Sequence, residues 1–168
     1  MRFQLTRISA LILTGLIAGT FFYGTFCVLP AFYDLPSTLH LGFRVALMNH
    51  NKIVVMALVL LAIVALISYC WEARQLKTVR SLCFNALVMT IISLVITRLG
   101  SVPINLQIKT WQPSSPPADW LTVLKRWDLY NSIRTAASII AFLSLLAADL
   151  WGKNLYENKK EDLPLISV

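Results

Sequence analysis

Arg126, Trp127, Asn131 and Arg134 place two guanidinium groups, an indole and an amide within nine residues. Trp120, Leu124, Trp127, Asn131 and Arg134 recur at intervals of four, three, four and three, so they line one face of a helix. A guanidinium on such a face can hold an anionic or carbonyl oxygen through its fork of N–H donors. An indole beside it suits a flat aromatic ligand. Asn105, Lys109 and Trp111 lie upstream, and Asn49, His50 and Lys52 form an earlier polar group. Arg98 closes an apolar run and reads as a snorkelling residue that orients its helix.

The elements that must position these groups are membrane spans. The chain is 57% hydrophobic and 14% charged over 168 residues, where a soluble domain carries about 25% charged residues. The excess lies in uncharged runs. Ile8–Leu29 is 22 residues, enough to reach across a ~30 Å hydrocarbon core. The expected fold is an all-α integral membrane four-helix bundle in one membrane domain, 1–168. Its spans are expected at about 8–29, 53–71, 81–99 and 131–151, with a polar tail over 152–168. Ser37 is a candidate N-cap for a short amphipathic helix at the interface, 37–49, with Leu39, Phe43, Ala46 and Leu47 on one face and His40 and Arg44 on another. After the breaker Pro113–Pro117, Asp119 is a candidate N-cap, so the last helix can begin above the bilayer. Gly15-x-x-x-Gly19 and Ala137-x-x-x-Ala141 suit close packing of helices within the chain.

Parity then brings the polar groups together. With four spans, the two long connections, 30–52 and 100–130, share one membrane face, and the short connection 72–80 shares the other with both termini. That short turn holds Arg74, Lys77 and Arg80, so the positive-inside rule places both termini in the cytoplasm. A pocket formed by Asn49, Asn105, Trp111, Arg126, Trp127, Asn131 and Arg134 would open on the outer face.

Several classes fall away. The net charge of +7 resides at segment ends, where it sets topology and makes no nucleic-acid face. Neither His40 nor His50 is mid-helix, which disfavours a membrane haem, and no cysteine–histidine metal spacing occurs, so no metal or cofactor is expected. Cys27, Cys70 and Cys83 lack a C-x-x-C pattern and read as small apolar residues. The first apolar run exceeds a signal-peptide core, so cleavage is not expected. Paired helix interruptions of the transporter kind are missing.

The ordered set Gly24-x-Phe26 to Leu29-Pro30, Leu47-Met48-Asn49, Pro103-Ile104-Asn105, Ile108-Lys109-Thr110-Trp111 and Arg126-Trp127 through Asn131 to Arg134 resembles the anthrone oxygenase-like membrane family, also called domain of unknown function 1772. The likeness spans roughly residues 10–148. It implies a four-helix membrane protein, and its fungal members oxidise anthrones to anthraquinones with O₂. By position, Asn105, Trp127 and Arg134 match the family's motif residues. An oxidation that begins by deprotonating an activated carbon needs a base of near-neutral pKa, which asparagine cannot be. His50 is the catalytic candidate, if the first long loop folds over the pocket. Two readings follow: O₂-dependent oxidation of a hydrophobic aromatic or quinol-type molecule, or a non-catalytic module that binds a lipid, a quinone or a partner protein.

Overall fold

The computed structural model describes residues 2–161, with side chains over 3–152. The last residues of the polar tail, 162–168, lie outside the described residues. The fold is all-helical, a bundle of four long apolar helical stretches: Phe3–Tyr33, Ser37–Glu72, Lys77–Ile108 and Trp120–Gly152. Each exceeds 30 residues, and so outreaches the ~20 that a bilayer core requires. Large apolar side chains such as Ile12, Leu61, Val64, Phe84 and Leu143 stand exposed along the outer faces. An outer surface of that kind needs lipid around it.

The first stretch is helix α1, Arg2–Tyr23, a π-helical turn over Gly24–Val28, and helix α2, Leu29–Tyr33. Helix α3, Ser37–Glu72, runs unbroken through the segments expected as an interfacial helix and a separate second span. Asn49 to Lys52 carries no proline or glycine to interrupt it. Pro36 precedes α3, and no side-chain cap is made there, so Ser37 is the first helical residue instead of the N-cap. Helix α4, Lys77–Ile96, passes through a second π turn, Thr97–Ser101, into helix α5, Val102–Ile108. Helix α6, Trp120–Glu161, follows directly on Asp119, whose carbonyl accepts the N–H groups of Thr122 and Val123. The first and third helices therefore continue past the ends expected at 29 and 99.

Both continuations have one cause. Pro30 and Pro103 stand at the second position of α2 and α5. A proline has no N–H for the carbonyl four residues back, and its ring crowds that carbonyl. The helix relieves the crowding by widening one turn earlier: the N–H of Leu29 reaches Gly24 O, and that of Val102 reaches Thr97 O, five residues back.

Helix α6 packs on α4 and α1, and α3 on α1 and α4. At the end holding the α3–α4 turn, Ala10, Leu66, Tyr69, Val79, Cys83 and Ala148 form one core. Mid-bundle, Ile17, Phe21, Val59 and Ala62 form another. At the opposite end Leu41, Ile104, Ile108, Val123 and Leu124 join residues from α3, α5 and α6. Ala137, Ala141 and Ala148 of α6 are buried, as small residues at helix contacts should be. Of the glycines on α1, Gly15 faces the Phe142 ring, while Gly19 has open space beside it.

Candidate functional site

The polar side chains that pack inward at the loop-bearing end form two adjoining layers along α6. The outer layer centres on Arg44, which is only 2% exposed. Its Nη1 and Nη2 donate to Asp128 Oδ1 at 3.4 and 3.3 Å. The other oxygen of Asp128 accepts the Tyr33 hydroxyl. The Arg44 guanidinium lies 4.8 Å from the Trp127 ring and 6.0 Å from that of Phe32. The Trp127 indole N–H donates to Asn105 Oδ1 at 2.6 Å. One turn of α3 before Arg44 is His40, 1% exposed and enclosed by rings. Phe32, Tyr33 and Trp120 have centroids 5.7, 5.0 and 5.7 Å from it. Its Nε2 is buried without a hydrogen-bond partner.

The inner layer lies one turn further along α6. Asn131 is buried, and its Nδ2 donates to Thr25 Oγ1 at 2.7 Å. Thr25 and Thr135 hydroxyls are 2.8 Å apart. The side-chain carbonyl of Asn131 accepts from Arg134 Nη2. The Arg134 guanidinium covers the Phe21 ring at 4.2 Å, and its Nε is buried with no partner. The two π turns flank this part of α6. One supplies Thr25, and in the other Gly100 lies so close to Tyr130 that a Cβ there would be 2.7 Å from the ring.

Of the residues expected from the sequence to bind a ligand, Asn105, Trp127, Asn131 and Arg134 lie in these layers. Trp111 is half-buried in the apolar core beside them. Asn49 and Arg126 are exposed, and Asn49 Oδ1 accepts from Lys109 Nζ at 2.5 Å, tying α3 to the end of α5. His50 stands apart. It is exposed, and its Nδ1 lies 2.9 Å from Ala46 O of its own helix. The first connection is helical and cannot fold over the pocket as a loop, so the histidine brought into the cluster is His40. Arg98 is also exposed, with Nη2 3.7 Å from Met56 Sδ.

Tyr33, His40, Arg44 and Asp128 are absent from the expected binding set. From their spacing alone, His40 and Arg44 fit the polar face of an interfacial helix. The scarcity of acids is the signal that could have found them. On the loop-bearing side only Asp34, Asp119 and Asp128 occur, so a buried arginine there has few carboxylates to find.

Two cavities lie elsewhere in the bundle. A void of about 10 Å³ mid-bundle is lined by Thr14, Thr90, Ser93 and Ser138 among others, and is close to the size of one water. A groove of about 600 Å³ runs along the lipid-facing side of α1 and α6, bordered by Leu16, Gly19, Phe142 and Leu146.

Fold and site together define an integral, multi-pass helical-bundle membrane protein with a polar, aromatic-lined cluster at one end. The chain belongs to the anthrone oxygenase family, whose profile matches residues 43–144, more than half of its length. Arg44, Asn105, Trp127, Asp128, Asn131 and Arg134 fall inside the match, and His40 precedes it by three residues. No curated protein and no solved structure matches.

Proposed function

We propose that the protein catalyses the O₂-dependent oxidation of a hydrophobic aromatic molecule with a weakly acidic C–H, of the anthrone type. The observation that carries this reading is His40: a buried imidazole in an aromatic enclosure, with a ring nitrogen that nothing else occupies. For an anthrone, the methylene proton passes to that nitrogen and leaves an enolate. The enolate gives one electron to O₂, and the two radicals combine at carbon. The resulting peroxide anion takes back the proton, and the hydroperoxide so formed loses water, leaving a second carbonyl. The sum is substrate CH₂ plus O₂ to C=O plus H₂O, so the electrons come from the substrate itself. Asn105, Trp127, Asn131 and Arg134 hold its ring and oxygens in this reading.

The test is O₂ uptake and quinone formation by protein in nanodiscs, with a panel of anthrones. The expected result is one O₂ per anthrone, a rate in His40→Ala lower by about 100-fold or more, and no loss in His50→Ala. Turnover equal to that in buffer, or undiminished in His40→Ala, counts against the reading.

A second reading, a module that binds a lipid or quinone without turnover, is favoured by the lipid-facing groove between α1 and α6, whose apolar lining suits an acyl chain. Native mass spectrometry showing no retained lipid would remove it. Both readings place the termini in the cytoplasm and the cluster at the outer face. Thiol labelling of cysteines introduced at Asn49 and Gln107 should therefore occur from outside only.

A further inference from the structure

Three inward-lying arginines occur among the described residues, and they differ in one respect. Arg7 Nε lies 2.8 Å from Asp149 Oδ1, and Arg44 Nη2 lies 3.3 Å from Asp128 Oδ1. Arg134 has no carboxylate in ion-pair range among the described residues. Its neighbours are neutral: the Asn131 side-chain carbonyl, the face of Phe21 at 4.2 Å, and Thr25 and Thr135 behind Asn131. Its Nε is buried and unpartnered. An unpaired guanidinium inside a membrane bundle is costly, and such residues mark the sites where a counter-charge arrives.

The guanidinium is also held in place. Nη2 is engaged by Asn131, whose amide is fixed in turn by Thr25 at 2.7 Å. The Phe21 ring supports one face of the plane. Its remaining N–H groups therefore point in a set direction, as a preformed donor edge does.

We infer that Arg134 is an anion site, and that its ligand is the anionic oxygen, phenolate or enolate, of a hydrophobic aromatic molecule. This rests on the functional reading above for the aromatic class, and it adds that the molecule binds as its anion. One observation favours an aromatic anion over a lipid phosphate: the surroundings are rings, with Phe21 beneath and Trp127 two turns away along the same face.

The experiment is equilibrium binding to protein in phosphatidylcholine nanodiscs, with 1,8-dihydroxyanthraquinone as the probe. Its central ring already carries both carbonyls, so it cannot be oxidised there. The anion of this probe absorbs to the red of the neutral form. The expected result is a red-shifted band on binding, at a pH where the free probe is neutral. Arg134→Gln should abolish the band and weaken binding at least tenfold, whereas Arg134→Lys should retain part of both. The dimethoxy analogue, which cannot ionise, should bind weakly and equally to all three proteins. Added phosphatidylglycerol should not displace the probe. Absence of the red band in the unmodified protein, equal affinity for the two probes, or displacement by phosphatidylglycerol would overturn the inference. The first and second comparisons need no variant, so a misfolded Arg134→Gln leaves the test intact. A red band without any O₂ uptake would sink the oxidation reading alone. O₂ uptake without a red band would sink the anion site alone.

Discussion

Replacing Asp128 with alanine removes the counter-charge of Arg44, and the burial of the two partners sets the size of the effect. Arg44 has a side-chain exposure of 2%, against 23% for Asp128. Once Asp128 is gone, the guanidinium is left uncompensated beneath Trp127 and Phe32, and stranding a buried charge costs about 3–5 kcal/mol. The Tyr33 hydroxyl also loses its acceptor, worth about 1 kcal/mol. Removing the other partner, Arg44→Met, strands a carboxylate that water reaches and Tyr33 still donates to, so it costs about 1–2 kcal/mol. The double variant should be more stable than Asp128→Ala, because no charge is then left stranded. Thermal unfolding in detergent, followed by tryptophan fluorescence, should place Asp128→Ala on the order of 10 °C below the unmodified protein. Arg44→Met should fall between them. The reasoning fails if Asp128→Ala unfolds with the unmodified protein, or if Arg44→Met is the more damaging of the two.

Other perturbations test the remaining contacts. Gly100→Ala puts a Cβ 2.7 Å from the Tyr130 ring and should cost about 1–3 kcal/mol in the same unfolding assay, whereas Gly19→Ala, with nothing within 4 Å, should be neutral or stabilising. Asn105→Leu deprives the Trp127 indole of its acceptor and should cost about 1–2 kcal/mol, with a change in tryptophan emission that is absent in an Asn105→Leu, Trp127→Phe background. The thiols of Cys70 and Cys83 are 3.0 Å apart, so diamide should oxidise the pair to a disulfide joining α3 to α4. Maleimide adducts on the denatured protein should then fall from three to one, the survivor being Cys27.

The spans are legible in the sequence because an uncharged run of about twenty residues is long enough to cross a bilayer and too apolar to face water. The alignment of Trp127, Asn131 and Arg134 is legible for a similar reason, since spacing alone puts them on one helical face. Their meeting with Asn105 follows from the parity of four crossings. The His40–Arg44 pair is harder to read. Polar residues four apart, opposite Leu39, Phe43 and Leu47, have the same pattern whether they face water or a second polar surface. What decides between the two is Asp128, 84 residues away, together with Tyr33 and Trp127. No local pattern contains that information. In the structure Leu39, Phe43 and Leu47 are the exposed ones, so the apolar face of this stretch turns outward and the polar face turns in.

The prolines tie the two layers of the cluster to the backbone that carries them. Pro30 and Pro103 lie on different helices, yet each follows a π turn by two residues, and each π turn abuts α6. A π turn adds one residue to a helical turn, which rotates everything beyond it by about 100° relative to an uninterrupted α-helix. Beyond Pro30 that rotation governs where Phe32 and Tyr33 point. Beyond Pro103 it governs Ile104 and Asn105. Those four side chains form part of the enclosure of His40, the acceptor for Trp127 and the core beside them. In an unbroken helix the same residues would lie about a quarter-turn away from α6. The widened turns also supply Thr25 to Asn131, and in Gly100 a position with no Cβ, which lets the Tyr130 ring approach the backbone closely. A helix irregularity that weakens the hydrogen-bond ladder at two places is thus what points the ends of two spans at a third, and it accounts for the cluster forming at the proline-bearing end of the bundle and not at the other.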